Sequence, residues 1–125
     1  MQVNLSDSEW KLMNRLWEQS PRTIMELTAA LHPETGWSKN TVITMLSRLE
    51  AKGAVRYEEG GRAKRYFPAV AREDAALAET ESFLSKVYGG SLGLMVSSLV
   101  DSRSLTEADI AELTAILERA GGEQT

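Results

Sequence analysis

Apolar residues recur in the first third of the chain at helical spacing. Trp10, Met13 and Trp17 fall at i, i+3 and i+7 with Leu16 beside them, one face of a helix. Ahead of them, Leu5-Ser6-Asp7-Ser8-Glu9-Trp10 reads as a helix start. Ser6 can accept from the backbone N–H three residues on, Glu9 can reach back, and Leu5 can pack on Trp10. This predicts a first helix ending near Gln19, before Ser20-Pro21. Thr23-Ile24-Met25-Glu26 is a second capping box, and Ile24, Leu27 and Leu31 form the stripe of a second helix. The turn-rich His32-Pro33-Glu34-Thr35-Gly36 is expected to stop it. Ser38 caps a third helix, with Trp37 placed to staple on Val42. Val42, Leu46 and Leu49 form its apolar side, and Asn40, Thr44, Ser47, Arg48 and Ala51 fall on the other. Lys52-Gly53 closes it, glycine suiting a left-handed end and lysine complementing the helix dipole.

The period then changes. Val55–Glu58 and Lys64–Phe67 are strand-like runs flanking Glu59-Gly60-Gly61-Arg62-Ala63, so a β-hairpin is expected with the glycine pair in its turn and Pro68 ending the second strand. Helical patterns resume at residues 71–87, with Leu77, Phe83, Leu84 and Val87 apolar, and Gly89-Gly90 breaks them. Residues 92–100 are short and strongly apolar. Leu105-Thr106-Glu107-Ala108-Asp109-Ile110 repeats the staple-and-box signal, and Ile110, Leu113 and Leu117 mark a last helix. Gly121-Gly122 and the polar end are expected to fray.

The predicted fold class is mainly α with a small β-hairpin: a winged helix-turn-helix over residues 1–70, then a helical dimerisation region over residues 71–125. A 65-residue reader leaves the apolar tail unexplained. Phe83, Leu84, Val87, Leu92, Leu94, Met95, Leu99, Val100, Ile110, Leu113, Ile116 and Leu117 need a surface to cover them. A two-fold homodimer supplies one, and an intramolecular three-helix cap is the alternative.

Composition excludes much chemistry. There is no Cys, which rules out a thiolate metal site, a disulfide and a Cys nucleophile. The single His32, beside Pro33, reads as a surface or helix-end residue. The carboxylates lie on solvated helix faces and no Gly-rich loop opens a helix after a strand, so neither an enzyme nor a cofactor or metal is expected. No run of 18 apolar residues occurs and the N-terminus lacks a basic-then-apolar segment. The expectation is a cytoplasmic protein without direct membrane association.

Charge distribution points to a partner. The net charge is −4, yet residues 38–72 hold eight basic and three acidic residues, whereas residues 73–125 hold three basic and ten acidic. Within the basic island, Lys39, Asn40, Thr41 and Thr44 occupy the front of the third helix, a composition suited to base edges. Asn can pair with adenine, a Thr methyl can touch that of thymine, and Arg48, one turn on, can reach guanine or phosphate. Arg62, Lys64 and Arg65 sit where a wing meets the sugar-phosphate backbone, Arg62 foremost. Without such a partner, the same residues are an ordinary solvated face and a charged hairpin edge. Trp10 and Trp17 read as core, and Trp37 as setting the entry angle of the third helix.

Several stretches together resemble the penicillinase-repressor family, the BlaI/MecI type to which copper-responsive repressors also belong. They are residues 5–13, Trp37-Ser38-Lys39-Asn40-Thr41-Val42-Ile43-Thr44-Met45-Leu46-Ser47-Arg48-Leu49, Lys52-Gly53, Phe83–Gly90 and Leu105–Ile110. The resemblance spans about residues 5–118. It implies a homodimeric winged-helix repressor of palindromic double-stranded DNA operators upstream of β-lactam-resistance genes. Contacts are implied at Lys39, Thr41, Thr44 and Arg48, with Arg62 in the wing. It also implies inactivation by proteolysis in the C-terminal region, triggered by a membrane-bound antibiotic sensor. The chain departs from the pattern at three places. Ser98-Leu99 stands where those repressors carry an Asn-Phe cleavage pair, Asn40 stands where a basic residue is frequent, and the Cys-x-Cys tail of the copper-responsive members is missing.

Two readings compete with a dimeric repressor released by a sensor-triggered event. One is a winged-helix interaction module whose basic island docks an acidic protein without sequence-specific DNA binding. The other is a repressor relieved by a small effector, for which the tail offers few orienting polar groups.

Overall fold

The structure, a computed structural model, describes residues 3–123. Three helices, α1 (Asp7–Glu18), α2 (Ile24–Thr35) and α3 (Lys39–Ala51), lead into strands β1 (Val55–Gly60) and β2 (Ala63–Pro68). Three further helices follow: α4 (Arg72–Tyr88), α5 (Leu92–Asp101) and α6 (Glu107–Glu123). The chain divides into two compact units, one ending at Thr80 and the other starting at Glu81, with α4 running through both.

The helix starts form as their side chains dictate. The Glu9 N–H donates to Ser6 Oγ at 3.2 Å while the Ser6 N–H donates to Glu9 Oε1 at 2.7 Å. Thr23 and Glu26 make the same reciprocal pair, and Thr106 and Asp109 repeat it before α6. Each pair satisfies two amide groups that the helix itself cannot. At the other end of α3, the Ala54 N–H donates to the Leu49 carbonyl at 2.8 Å and the Gly53 N–H to that of Glu50 at 3.0 Å. This double closure needs the left-handed backbone of Gly53, φ +81°.

Two expected helix ends move. α2 does not stop at Pro33 but carries it inside and runs on to Thr35. Proline removes one amide from the ladder, yet the turn after it is held by the Gly36 N–H on the His32 carbonyl at 2.9 Å and by Thr35 Oγ1 donating to the Leu31 carbonyl. α6 likewise runs through Gly121 and Gly122 to Glu123 instead of fraying there. Glycine in a helix costs up to about 1 kcal/mol relative to alanine but does not forbid helical angles. Gln124 and Thr125, in the polar end expected to fray, lie outside the described residues.

The core lies in the first unit. Leu12, Met13 and Leu16 of α1, Leu27 and Leu31 of α2, and Val42, Leu46 and Leu49 of α3 are buried together. Leu5, Ala54, Val55, Tyr66 and Ala75 complete the cluster, so the start of α4 belongs to this unit. Trp10, Trp17 and Trp37 pack on it from its margin. The rings of Trp10 and Trp17 are 5.6 Å apart, and the Trp17 indole N–H donates to the Val70 carbonyl at 3.0 Å. That bond ties α1 to the chain beyond the hairpin.

β1 and β2 pair antiparallel, Val55 opposite Pro68 and Gly60 opposite Ala63. The strands are longer than their apolar runs, and the loop shrinks to Gly61-Arg62 rather than a turn on the glycine pair. Gly61 takes φ +78° at the first loop position, as the tight turn matching strand twist requires. Tyr57 and Tyr66 face each other across the pair with ring centroids 5.7 Å apart. Arg22 adds an isolated bridge to the sheet: its N–H donates to the Tyr66 carbonyl at 3.1 Å, and the Tyr66 N–H donates back at 2.9 Å. The segment between α1 and α2 therefore clamps the base of the hairpin.

In the second unit, no described residue whose exposure is defined is buried. Phe83, Val87, Leu92, Leu94, Val100, Ile110, Leu113, Ile116 and Leu117 are all exposed, while Leu84, Met95, Val96, Leu99 and Leu105 are half-buried. These helices do not form the self-contained cap considered above. They leave an apolar groove of about 660 Å³ between α5 and α6, lined among others by Leu92, Met95, Leu99, Ile110, Leu113 and Leu117.

Candidate nucleic-acid interface

α3 is amphipathic across its short axis. Its apolar side is sealed in the core, and Lys39, Asn40, Thr44 and Arg48 on the opposite side are exposed, with Thr41 half-buried at the edge. Asn40, Thr41, Thr44 and Arg48 share a shallow concavity of about 270 Å³, and Met45 is its fifth lining residue. Lys39 stands in the first turn, outside that concavity.

Hydrogen bonding within the face decides what each group has left to offer. Thr44 Oγ1 donates to the Asn40 carbonyl at 3.0 Å, which leaves its methyl and oxygen lone pairs. Thr41 Oγ1 lies 3.2 Å from Ser38 Oγ, the helix cap. No described carboxylate comes within ion-pair distance of Lys39 or Arg48. The Asn40 amide and Arg48 guanidinium thus keep the paired hydrogen-bond pattern that adenine and guanine edges match.

The hairpin carries its cations on a projection. Residues 58–65 are exposed on both faces, whereas Val55 and Tyr66 nearer the base are buried. Lys64 and Arg65 lie opposite Glu59 and Glu58 in the register, and Lys64 Nζ sits 4.3 Å over the Tyr57 ring. Arg56 pairs with Glu58 at 3.3 Å and lies over the Phe67 ring. Arg62, in the two-residue loop, has no carboxylate opposite it, so among the described wing cations it is the least neutralised.

A buried contact holds α3 in place. Glu9 of α1 is 2% exposed, and Lys52, just past the end of α3, bonds both its carboxylate and the Asn4 carbonyl. Burial pushes the Glu9 carboxyl up, but the Lys52 ammonium and the Ser6 amide and hydroxyl outweigh it, and the group sits below its ordinary value. Burial also raises the Tyr66 hydroxyl, with Lys64 opposing.

Ser98 is exposed and Leu99 half-buried on α5, within a regular helix. The described residues hold no cluster of His, Cys, Asp and Glu able to bind a metal ion. None of the described helices is singly long and apolar enough to cross a membrane.

The sequence profile of the penicillinase repressor family matches residues 5–119. The chain belongs to the penicillinase repressor family. It is a transcriptional repressor by descent and not an enzyme. It is 34% identical to the penicillinase repressor of Bacillus licheniformis over 91% of this chain and 89% of that one. With the methicillin resistance regulatory protein MecI of Mammaliicoccus sciuri it shares 26% over 92% and 94% of the two chains. Among solved structures, the monomeric form of Bacillus licheniformis BlaI in complex with the blaP half-operator matches with a TM-score of 0.53 at 32% identity. That match covers 59% of this chain and 90% of the other. A winged helix carries the N-terminal part of this family member, as the order of its elements predicts.

Sequence reading passes over three contributors to this surface. Met45 falls between the apolar and polar stripes of α3 and belongs to neither count. Lys52 reads as a dipole partner, while its ammonium is engaged 43 residues away at Glu9. Arg22 carries no strand signal, because a single bridge has no periodicity.

Proposed function

We propose that the chain represses transcription as a cytoplasmic homodimer on a palindromic DNA operator, controlling β-lactam-resistance or related stress genes. The observation that carries the DNA contact is the exposed face of α3, polar, cationic at Lys39 and Arg48, and backed by a fully buried side. Lys39, Asn40, Thr41 and Thr44 face base edges, Arg48 reaches guanine or phosphate, and Arg62, Lys64 and Arg65 hold phosphates. The part up to about residue 70 reads, and the helices after it dimerise. Phe83, Leu84, Val87, Leu92, Met95, Leu99, Ile110, Leu113 and Leu117 are the dimerisation residues; the open groove between α5 and α6 supports the last six, and the exposure of Phe83 and Val87 on α4 supports the first group. BlaI, which binds a half-operator as a monomer, supports one reader per half-site.

Release follows when a membrane-bound sensor-protease pathway separates reader from dimer, with Ser98-Leu99 as the candidate cleavage region. Because that pair lies inside α5, cleavage requires the helix to open locally.

Selection of binding sites from random duplex DNA by the full chain tests the proposal. An inverted repeat is expected, with affinity falling steeply as salt rises. Arg48→Ala should cost about 1–3 kcal/mol and relax preference at one position of each half-site. Arg62→Ala should weaken all sequences alike. Equal binding to every sequence, or none at low salt, overturns the reading and favours an acidic protein partner.

A further inference from the structure

We propose that Met45 is a specificity-determining residue, whose thioether receives the C5 methyl of a thymine in the operator's major groove. The inference rests on the DNA contact proposed above and names a contact within it.

Met45 is the only wholly apolar side chain among the five residues of the α3 concavity. It is half-buried and packs on the hydrophobic core, so its position is set by that core rather than by solvent. Ile43, the other large non-core apolar residue of α3, is exposed but does not line the concavity. A thioether has no donor and is a poor acceptor, so it cannot read the hydrogen-bond pattern of a base edge. The major groove presents one apolar group, the thymine methyl. Thr44 adds to the match: with its hydroxyl engaged at the Asn40 carbonyl, its methyl remains the apolar branch beside Met45. Asn40 and Arg48 flank this apolar spot with hydrogen-bonding groups. The unbranched methionine chain adapts to a methyl without demanding one fixed shape.

The test separates reading from packing. Sites are selected from random duplex DNA by the full chain, and each thymine of the selected site is then replaced singly by deoxyuridine, which removes only the methyl. For the unsubstituted protein, one thymine per half-site is expected to lose about fourfold in affinity, the contribution of one buried methyl. Met45→Ala should lose most of the difference between the thymine and deoxyuridine sites, the Thr44 methyl keeping the remainder, and Met45→Leu should restore part of it. A packing role alone would lower the affinity of Met45→Ala for every site and leave the thymine-to-deoxyuridine ratio unchanged. If Met45→Ala does not fold, as thermal unfolding will tell, Met45→Gln, near in length but polar, is read for the same loss of the ratio. Failure to select any sequence overturns the DNA contact itself. Selection of an operator in which no thymine methyl matters, or in which the ratio survives in the variants, overturns only the role of Met45.

Discussion

Leu46 and Leu113 are the same residue, each in the apolar stripe of a helix, yet one is 1% exposed and the other 37%. The contrast holds for the units that contain them. In the first, stripes on α1, α2 and α3 close on one another and on the base of the hairpin. In the second, α5 is the most apolar helix of the chain on average, and none of its residues is buried. Apolar patterning therefore states a demand for burial without saying who meets it. The first unit meets its own, whereas the second presents the demand outward, as the proposed dimerisation would require.

Substitutions can break or sharpen this contrast. The largest effect is expected at Leu46. Leu46→Ala should cost about 2–5 kcal/mol in denaturant unfolding, because the closed core leaves a cavity. Leu113→Ala should cost far less in dilute solution, where the residue in a single chain is 37% exposed. Equal losses would erase the distinction.

Next comes Leu113→Asp, which places a charge in the α5–α6 groove. Sedimentation should show self-association weakened by roughly a hundredfold, with far-UV circular dichroism unchanged. An unaltered association would remove the groove from the interface.

Glu9→Gln is expected to cost about 1–2 kcal/mol at neutral pH, since it weakens charged hydrogen bonds to Lys52 at a buried position. The pH dependence has a definite sign. The folded-state Glu9 carboxyl lies below its ordinary value of 4.5, so its contribution is complete above that pH and is lost as pH falls through the lower folded value. Stability curves of the two proteins should run parallel from pH 7 to about 5 and converge below about 4.5. Divergence on acidification would contradict the pairing.

The smallest effects oppose each other in sign. Gly61→Ala should destabilise by about 1 kcal/mol, because φ is +78° in the hairpin turn. Gly121→Ala should stabilise α6 by about 0.5–1 kcal/mol, since it lies within the helix and an added Cβ meets nothing within 4 Å. Thermal unfolding of the two variants reads both.

Much of this architecture is legible in the chain because its signals are local. Ser6 with Glu9, Thr23 with Glu26 and Thr106 with Asp109 each bond across three residues, so type and spacing suffice to find them. The face of α3 is legible for the same reason, since 3.6-residue periodicity separates Val42, Leu46 and Leu49 from Asn40, Thr44 and Arg48. The misses are contacts without a local signature. Pro33 looks like a stop until the bonds of Thr35 and Gly36 hold the turn after it. The hairpin loop shortens because strand pairing extends past the apolar residues to Gly60 and Ala63.

Periodicity, charge placement and capping residues were enough to specify the six helices and one hairpin of the described residues, a basic island on α3 and the hairpin, and an apolar tail. They work because a helix or a two-residue turn is stabilised by atoms a few positions apart, which adjacent side chains already encode. Tertiary packing alone decided that Glu9 would be buried against Lys52, that Arg22 would join the hairpin, that Met45 would border the polar face of α3, and that the tail would stay open. Those outcomes join residues distant along the chain, or depend on surfaces facing one another, and no period in the sequence records which surfaces meet.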